Sequence, residues 1–122
     1  MKAYDMARKA IESSYCGVCT IIERRQVRDE QTKISQQKEQ VILENQPCRL
    51  SFERAAAAEP TDTAAAVGQS VKLFLAPEVE LKPGSKIIVE QNGRRFEYAA
   101  SGEAAVYPSH QEIYLSLWMG WA

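Results

Sequence analysis

The sequence is poor in the residues that most often carry catalysis. It contains one histidine and three cysteines among 122 residues. It has no glycine-rich phosphate loop, no His-Glu-x-x-His motif and no paired-carboxylate motif. The histidine, His110, stands beside Ser109, but no acid is placed to form a specific triad with them. We therefore expect a protein that is not an enzyme and holds no cofactor.

Charge of one sign and long hydrophobic runs are also missing. Fifteen basic and sixteen acidic residues give a net charge of -1, which leaves no basic footprint for duplex nucleic acid or for an anionic membrane. No apolar run approaches the roughly 20 residues that span a bilayer, and the first stretch, MKAYDMARKAIESS, lacks the apolar core of a signal peptide. An odd number of cysteines without a secretion signal is typical of a reducing compartment. We expect one soluble domain, made in the cytoplasm.

A Cys-x-x-Cys motif occurs at Cys16 and Cys19. In thiol oxidoreductases the first cysteine begins a helix, whereas here the motif opens a β-rich stretch. Residues three apart on a strand point to opposite faces, so the two thiols do not easily share a metal ion or a disulfide. A zinc site would also need Cys48 and His110 as ligands. We interpret the cysteines as small buried hydrophobic residues and expect no metal site.

The N-terminal segment, residues 1–14, has the spacing of an amphipathic helix. Its apolar residues recur every three or four positions: Ala3, Met6, Ala7, Ala10 and Ile11. We expect this helix to pack on its own domain; the alternative is an exposed helix that docks on a partner.

From Cys16 onward the pattern has period two. The stretches CGVCTIIE and QVILENQPCRLSFE predict two strands, the second bent at Pro47. Between them, the charged and aperiodic stretch Arg24 to Glu39 predicts a long solvated loop or an extended hairpin tip. The alanine-rich stretch Arg54 to Gln69, interrupted by Pro60 and Gly68, predicts a mobile loop.

The second half contains the clearest strand signals. Asn92-Gly93 between two alternating stretches predicts a hairpin with a two-residue turn. That turn sets Val89 opposite Phe96 and Ile87 opposite Tyr98 on the core side, and it sets Glu90 opposite Arg95 on the outer side.

Two further strands are predicted on either side of this hairpin. One has Val71, Leu73 and Leu75 on a single face, and the other has Ile113, Leu115 and Leu117 inward. With about six strands and one short helix, the sequence predicts a mainly β domain, a small antiparallel barrel or sandwich.

The chain ends LSLWMGWA, which is unusually apolar for a terminus. Trp118, Met119 and Trp121 therefore either fold back on the domain or form an apolar interface with another subunit, where tryptophan and methionine are enriched. The tail 118–122 is a candidate interaction site.

A resemblance to a known protein family rests on the order and the sequence of three stretches: QPCRLSFE, APEVELKPGSKIIVEQNG and SGEAAVYPSHQEIYL. Together they resemble a family of small head-closure, or stopper, proteins at the head–tail junction of phages and defective prophages of Firmicutes, often labelled minor capsid proteins. The resemblance covers Val18 to Leu117. It implies a virion protein, assembled in the bacterial cytoplasm, that forms a ring with copies of itself beneath the portal and its adaptor.

The resemblance also implies roles for the two predicted loops. The loop between the second and third strands would close the DNA exit channel and touch passing DNA without sequence recognition; the implied residues are Ala55, Ala56, Ala57, Ala58, Thr61, Thr63, Ala64 and Ala65. The charged loop would contact a neighbouring subunit or ring through Arg24, Arg25, Arg28 and Lys33. The ring would then offer a surface to which the tail attaches.

Three other functions remain as alternatives. A tail-terminator or tail-completion protein would share a small β-barrel design. An OB-like nucleic-acid-binding or ligand-binding module would need an aromatic platform with interleaved basic residues, to which Phe96 and Tyr98 with Arg94 and Arg95 come nearest. A zinc module would depend on the three cysteines and His110.

Overall fold

Seven antiparallel strands and one helix make up the fold in a computed structural model, which describes residues 3–54 and 69–121. The elements are α1 (Ala3–Glu12), β1 (Gly17–Arg28), β2 (Ser35–Arg54), β3 (Gln69–Leu75), β4 (Lys86–Gln91), β5 (Arg94–Ala100), β6 (Ala105–Val106) and β7 (Gln111–Leu117). Within these two ranges, no helix has the length and hydrophobicity that crossing a membrane requires.

The strands form one sheet that closes on itself. The order is β3-β2-β1-β4-β5-β7-β6, and β3 pairs with β7 as well as with β2. The two-residue β6 pairs with β7 at Gln111 and Glu112, beyond the part of β7 that pairs with β5. The prediction of a mainly β fold with a short N-terminal helix is confirmed. The sheet is uneven, because β1 and β2 are much longer than the strands around them.

The stretch Arg24 to Glu39 is a paired hairpin, so its interpretation as a solvated loop is wrong and the alternative of an extended hairpin tip is correct. Arg24 lies opposite Glu39, and the pairing continues to Arg28 opposite Ser35. Nearer the barrel the register shifts twice, around Ile21. There Asn45 has a φ of 54°, a backbone conformation that asparagine tolerates. The predicted bend in β2 thus begins at Asn45 rather than at Pro47.

The core is built from the inward positions of the closed sheet. It contains Cys19, Ile21, Cys48, Leu50, Leu73, Leu75, Ile87, Val89, Tyr98, Ala100, Ile113 and Leu115. The predicted hairpin register is confirmed, with Val89 opposite Phe96 and Ile87 opposite Tyr98. These residues lie inside because strand alternation sends every second side chain to the same face.

Leu117 is an exception to the predicted inward face of β7. Ile113 and Leu115 are buried, but 72% of Leu117 is exposed. The pairing of β3 with β7 reaches only to Val71 opposite Leu115. Leu117 lies past the last pair of β3 with β7, so alternation alone does not bury it.

A buried glutamine, Gln91 of β4, links its strand to β2 through side-chain hydrogen bonds, although the two strands are not paired with each other. Its Oε1 accepts a hydrogen bond from the Leu50 backbone N–H at 2.8 Å, and its Nε2 donates to the Leu50 carbonyl at 3.4 Å. The side chain passes across Gly17, where an added Cβ would lie 3.0 Å from Gln91 Oε1 and 3.0 Å from the Glu90 carbonyl oxygen. Glycine at position 17 therefore makes room for the link to Leu50.

A second buried glutamine, Gln111, holds the connection between β3 and β4. Only 1% of its surface is exposed. Its Nε2 donates to the carbonyl oxygens of Ala76, at 2.7 Å, and of Val79. These bonds tie the start of the connecting loop to β7.

Candidate interaction surfaces

The most distinctive surface is a hairpin that leaves the closed part of the sheet. β4 pairs with β1 only up to Ile22, and β3 pairs with β2 only from Cys48. We call residues 23–40 the arm. Every arm residue except Glu23 is exposed, on both faces of the hairpin. Because an isolated two-stranded hairpin is marginally stable in water, the arm is suited to gain stability by contacting a partner.

The tip of the arm is a defined turn. The Asp29 N–H donates to the Ile34 carbonyl at 3.0 Å, and the Lys33 N–H donates to the Asp29 carbonyl at 2.7 Å. The Asp29 carboxylate accepts a hydrogen bond from the Gln31 N–H at 2.9 Å. Lys33 has a φ of 58°, in the left-handed region, and so closes the turn. The tip therefore presents its charged side chains from a fixed backbone.

The four basic residues predicted to contact a partner all lie on the arm and are exposed. Alternation puts Arg24 and Arg28 on one face of the hairpin and Arg25 on the other. Arg25 Nη2 lies 3.1 Å from Glu23 Oε2, and Arg24 lies opposite Glu39. The structure thus interleaves the basic side chains with acidic ones instead of collecting them in one phosphate-binding patch.

The C-terminal tail folds back on the protein, which was the first of the two predicted alternatives. Trp118 and Trp121 meet edge to face, with ring centroids 4.7 Å apart. Lys86 Nζ lies 5.1 Å from the centroid of Trp118, a cation–π contact. Trp121 Nε1 donates to Glu39 Oε1 at 2.8 Å, which links the tail to the base of the arm. Met119 is 88% exposed, so of the three tail residues it is the one available to a partner.

Helix α1 presents Met6, Ala7 and Ala10 to solvent. Met6 is 62% exposed, Ala7 and Ala10 are exposed, and Ile11 is half-buried. The expectation that this stripe packs on its own domain is therefore wrong. The helix is attached instead through its polar side, where Arg8 forms a two-pronged ion pair with Glu78, with Nη2 2.9 Å from Oε2. The apolar stripe remains open, as the docking alternative requires.

This ion pair should make attachment of α1 depend on pH. The hydrogen bond from Arg8 holds the pKa of Glu78 below its usual range. A depressed carboxyl pKa stabilises the attached state above the unfolded pKa, and that contribution is lost as pH falls through the folded pKa. Glu78→Gln is thus expected to lower hydrogen-exchange protection of the α1 amides at neutral pH. Lowering the pH should reduce the protection factors of α1 in the wild type, whereas in Glu78→Gln they should not change.

The matched control for this prediction is Glu80→Gln, an exposed residue of the same loop. We expect it to leave the protection factors of α1 at the wild-type value. Equal protection of α1 in Glu78→Gln and in the wild type would show that Arg8 does not hold the helix.

Three stacked rings lie on the outer face of β7 and β3, a feature that the sequence analysis did not identify. His110 stacks between Phe74, with centroids 5.8 Å apart, and Tyr107, with centroids 5.0 Å apart. Tyr107 is 46% exposed and the nearby Tyr114 is 53% exposed. The signal was present in the alternation of β7, which places His110, Glu112 and Tyr114 on one face.

Glu112 supplies the acid near His110 that was not recognised in the sequence. His110 Nε2 lies 3.5 Å from Glu112 Oε2, and the Ser109 hydroxyl lies 2.8 Å from His110 Nδ1. In a serine hydrolase the hydroxyl contacts Nε2 and the acid contacts Nδ1, so the two nitrogens have exchanged roles here. Glu112 also pairs with Lys72 at 3.5 Å. This arrangement forms an aromatic, ion-paired surface patch.

The Cys-x-x-Cys residues are separated by the fold. Cys19 and Cys48 are buried, as expected for small hydrophobic residues, whereas Cys16 is exposed, contrary to that interpretation. A hydrogen bond with the Cys19 thiol, together with burial, raises the pKa of the Cys48 thiol. The protonated form is thus favoured, and it is a poor metal ligand and nucleophile. In residues 3–54 and 69–121, no three histidine, cysteine or acidic side chains gather as metal ligands.

The aromatic platform of the OB-like alternative does not form. Tyr98 is buried and Phe96 is half-buried against the core, while Arg94 and Arg95 are exposed. The two aromatic residues and the two arginines therefore do not interleave on one accessible face.

An open groove of about 620 Å³ lies between the start of β1 and the turn at Asn92 and Gly93. Tyr15 lines it, and burial raises the pKa of Tyr15 to about 12. The Tyr15 hydroxyl is buried and has no hydrogen-bond partner within the described part of the chain. The groove is wide and shallow, with a neutral tyrosine at one wall.

The predicted channel-closing residues Ala55 to Ala65 lie outside the described residues. The strand positions that flank them are described: Arg54 ends β2 and pairs with Gln69, which begins β3. Since β2 starts at the arm and ends at Arg54, the arm and residues 55–68 connect to opposite ends of β2.

Comparisons with known proteins find little similarity to this chain. No family model and no curated protein matches it. A solved structure, the phage-like element PBSX protein xkdH from Bacillus subtilis, matches with 10% sequence identity and a TM-score of 0.48, covering 85% of this chain and 96% of that chain. A similarity at this level defines neither a shared family nor a shared function.

Proposed function

We propose that this protein is a structural ring component of a phage head–tail connector. In this role, copies of the chain form a ring below the portal and its adaptor, close the DNA exit channel and provide the surface to which the tail attaches. The role is non-enzymatic and needs no cofactor. The location is the head–tail junction of the virion, reached by assembly in the bacterial cytoplasm.

The observation that carries the proposal is the arm. A closed sheet with a buried core does not need a hairpin exposed on both faces for its own stability, since residues 24–40 bury no side chain. Such an element is explained by a partner that covers it. The order and sequence of the motifs between Val18 and Leu117 resemble stopper proteins, and that resemblance implies a ring of copies.

The connectivity of β2 supports a division of roles. The arm and the flanks of residues 55–68 belong to opposite ends of one strand. We assign the alanine-rich and threonine-rich segment to the channel, where a near-neutral lining suits DNA that passes without being held. The arm, with Arg24, Arg25, Arg28 and Lys33, is then assigned to a neighbouring subunit or ring. Met119 and the apolar stripe of α1 are further contact surfaces.

Deletion of the gene tests the proposal in the phage or prophage that encodes this chain. We expect DNA-filled heads and complete tails to accumulate separately, with heads that lose their DNA, because neither closure nor attachment takes place. Electron microscopy of lysates and the nuclease sensitivity of packaged DNA measure the two effects. Complementation with the wild-type chain should restore joined particles.

A replacement variant separates the two roles. Exchange of residues 55–68 for a glycine-serine linker of the same length should leave tails joined to heads while packaged DNA becomes nuclease-sensitive. A tail-terminator would behave differently, since its deletion gives sealed heads with tails of abnormal length. That phenotype would overturn the connector proposal in favour of the alternative.

A further inference from the structure

The arm has two open backbone edges along the same span. Beyond Ile22, β1 pairs only with β2, and before Cys48, β2 pairs only with β1. Unpaired strand edges are templates for pairing with another chain. Prolines and bulges that would block such pairing are absent from the distal arm, 24–28 and 35–39, whose internal register is regular.

The hydrogen-bond pattern identifies the groups that point outward. The Asp29 N–H donates to the Ile34 carbonyl across the hairpin. Alternation then makes Val27 and Gln36 an internally bonded pair. The backbone groups of the intervening residues face the edges: Arg24, Gln26 and Arg28 on β1, and Ser35, Gln37 and Glu39 on β2.

Charge disfavours pairing of the β1 edge with itself. A two-fold pairing centred on Gln26 would set Arg24 opposite Arg28 of the second copy on one face, and like charges in that position are destabilising. Pairing of the β2 edge with itself, centred on Gln37, would not oppose like charges in this way. If β1 meets the β2 edge of another copy in the register of the hairpin itself, Arg24 lies opposite Glu39 of that copy.

The same register has one like-charge pair, which the structure already accommodates. It sets Arg25 opposite Lys38, as they lie within a single arm. Arg25 is held there by Glu23, with Nη2 3.1 Å from Oε2. A neighbouring copy therefore meets a β1 edge on which this arginine is partly neutralised.

The strand directions allow the β1–β2 contact to repeat around a ring. In the arm, β1 runs toward the tip and β2 runs back. A copy related by rotation about an axis parallel to the arm brings its β2 beside β1 in antiparallel orientation. A contact between two different edges is heterologous, and heterologous contacts build a ring, not a two-fold dimer, when the rotation closes.

We propose that the arm binds a second copy of this chain by edge-to-edge strand pairing, the β1 edge of one arm against the β2 edge of the next. The backbone groups of Gln26 and Gln37 lie at the centre of this contact. The inference rests on the proposed ring, for which it supplies the contact between neighbouring subunits.

Disulfide trapping in the full chain tests the pairing. In a Cys16→Ser background, which removes the exposed cysteine, the single variants Gln26→Cys and Gln37→Cys are mixed in equal amounts, concentrated and oxidised. Peptide mass spectrometry counts the three inter-chain disulfides. We expect the 26–37 disulfide to exceed its statistical share of twice either self-pair by about tenfold, because the proposed register sets Gln26 opposite Gln37 and sets neither residue opposite its own copy.

Two controls make the result specific. Ser13→Cys, at an exposed position outside the arm, sets the yield of random encounters. Ser35→Pro removes an N–H that faces the edge and should reduce the 26–37 yield to that level, whereas Ser35→Ala keeps the N–H and should preserve the yield.

Each contrary outcome overturns the edge pairing. These outcomes are an excess of either self-pair, a 26–37 yield at the level of Ser13→Cys, or a 26–37 yield that Ser35→Pro leaves unchanged. None of them alters the expected phenotype of the gene deletion, so failure of this contact is distinguishable from failure of the connector role.

Discussion

Gln91→Met is expected to lower the free energy of unfolding by about 2–6 kcal/mol, because it leaves the N–H and the carbonyl of Leu50 buried without partners at about 1–3 kcal/mol each. Methionine nearly preserves the volume of glutamine, so the loss measures the hydrogen bonds rather than a cavity. Gln91 is the side chain that links β2 to β4 across Gly17, at 2.8 Å from the Leu50 N–H. Urea unfolding followed by tryptophan fluorescence measures the change.

Gln40→Met is the control for Gln91→Met. Gln40 lies exposed on the arm, and surface substitutions of this kind change stability by less than about 0.5 kcal/mol. If Gln91→Met and Gln40→Met unfold at the same urea concentration, the Leu50 contact contributes nothing and the proposed reason for Gly17 is wrong.

Gln111→Met is expected to cost less, about 1–3 kcal/mol, since the half-buried Ala76 and Val79 lose the one donor that their carbonyls share. Its consequences should spread further than those of Gln91→Met. The loop that Gln111 holds contains Glu78, and Glu78 anchors α1 through Arg8. Native-state hydrogen exchange should therefore show reduced protection of the α1 amides in addition to a lower global stability.

Each glutamine variant serves as the control of the other. Both should lower global stability, but under native conditions Gln91→Met should leave protection of α1 at the wild-type value, because it does not change the contact of Arg8 with Glu78. Equal α1 protection in the two variants would contradict the proposed path from Gln111 through Glu78 to Arg8.

Local pattern was sufficient for much of the sheet. The Asn92-Gly93 turn predicted the register of β4 and β5, because a two-residue turn leaves one way to pair the flanking residues. Alternation likewise predicted the buried faces of Leu73, Leu75, Ile113 and Leu115. It failed at Leu117, which lies beyond the last pair of β7 with β3.

The surfaces were less predictable than the core. The apolar stripe of α1 implied packing on the domain, yet the ion pair of Arg8 with Glu78 holds the helix by its polar side, across 70 positions of sequence. The Phe74, His110 and Tyr107 stack joins two strands that pair only after the sheet closes. Alternation places His110 on the outer face of β7, but it does not show that Phe74 of β3 lies beside it.

By itself, the sequence determined most of the strands, the register of the tightest hairpin and most of the side chains that enter the core, because strand alternation and turn chemistry act over a few residues. Tertiary structure decided between a barrel and a sandwich and between the two alternatives for the tail, and it alone decided that residues 23–40 stand clear of the closed sheet. Those outcomes follow from the unequal lengths of strands that come together from distant parts of the chain. Whether the end of a strand is buried depends on whether the neighbouring strands extend far enough to pack against it.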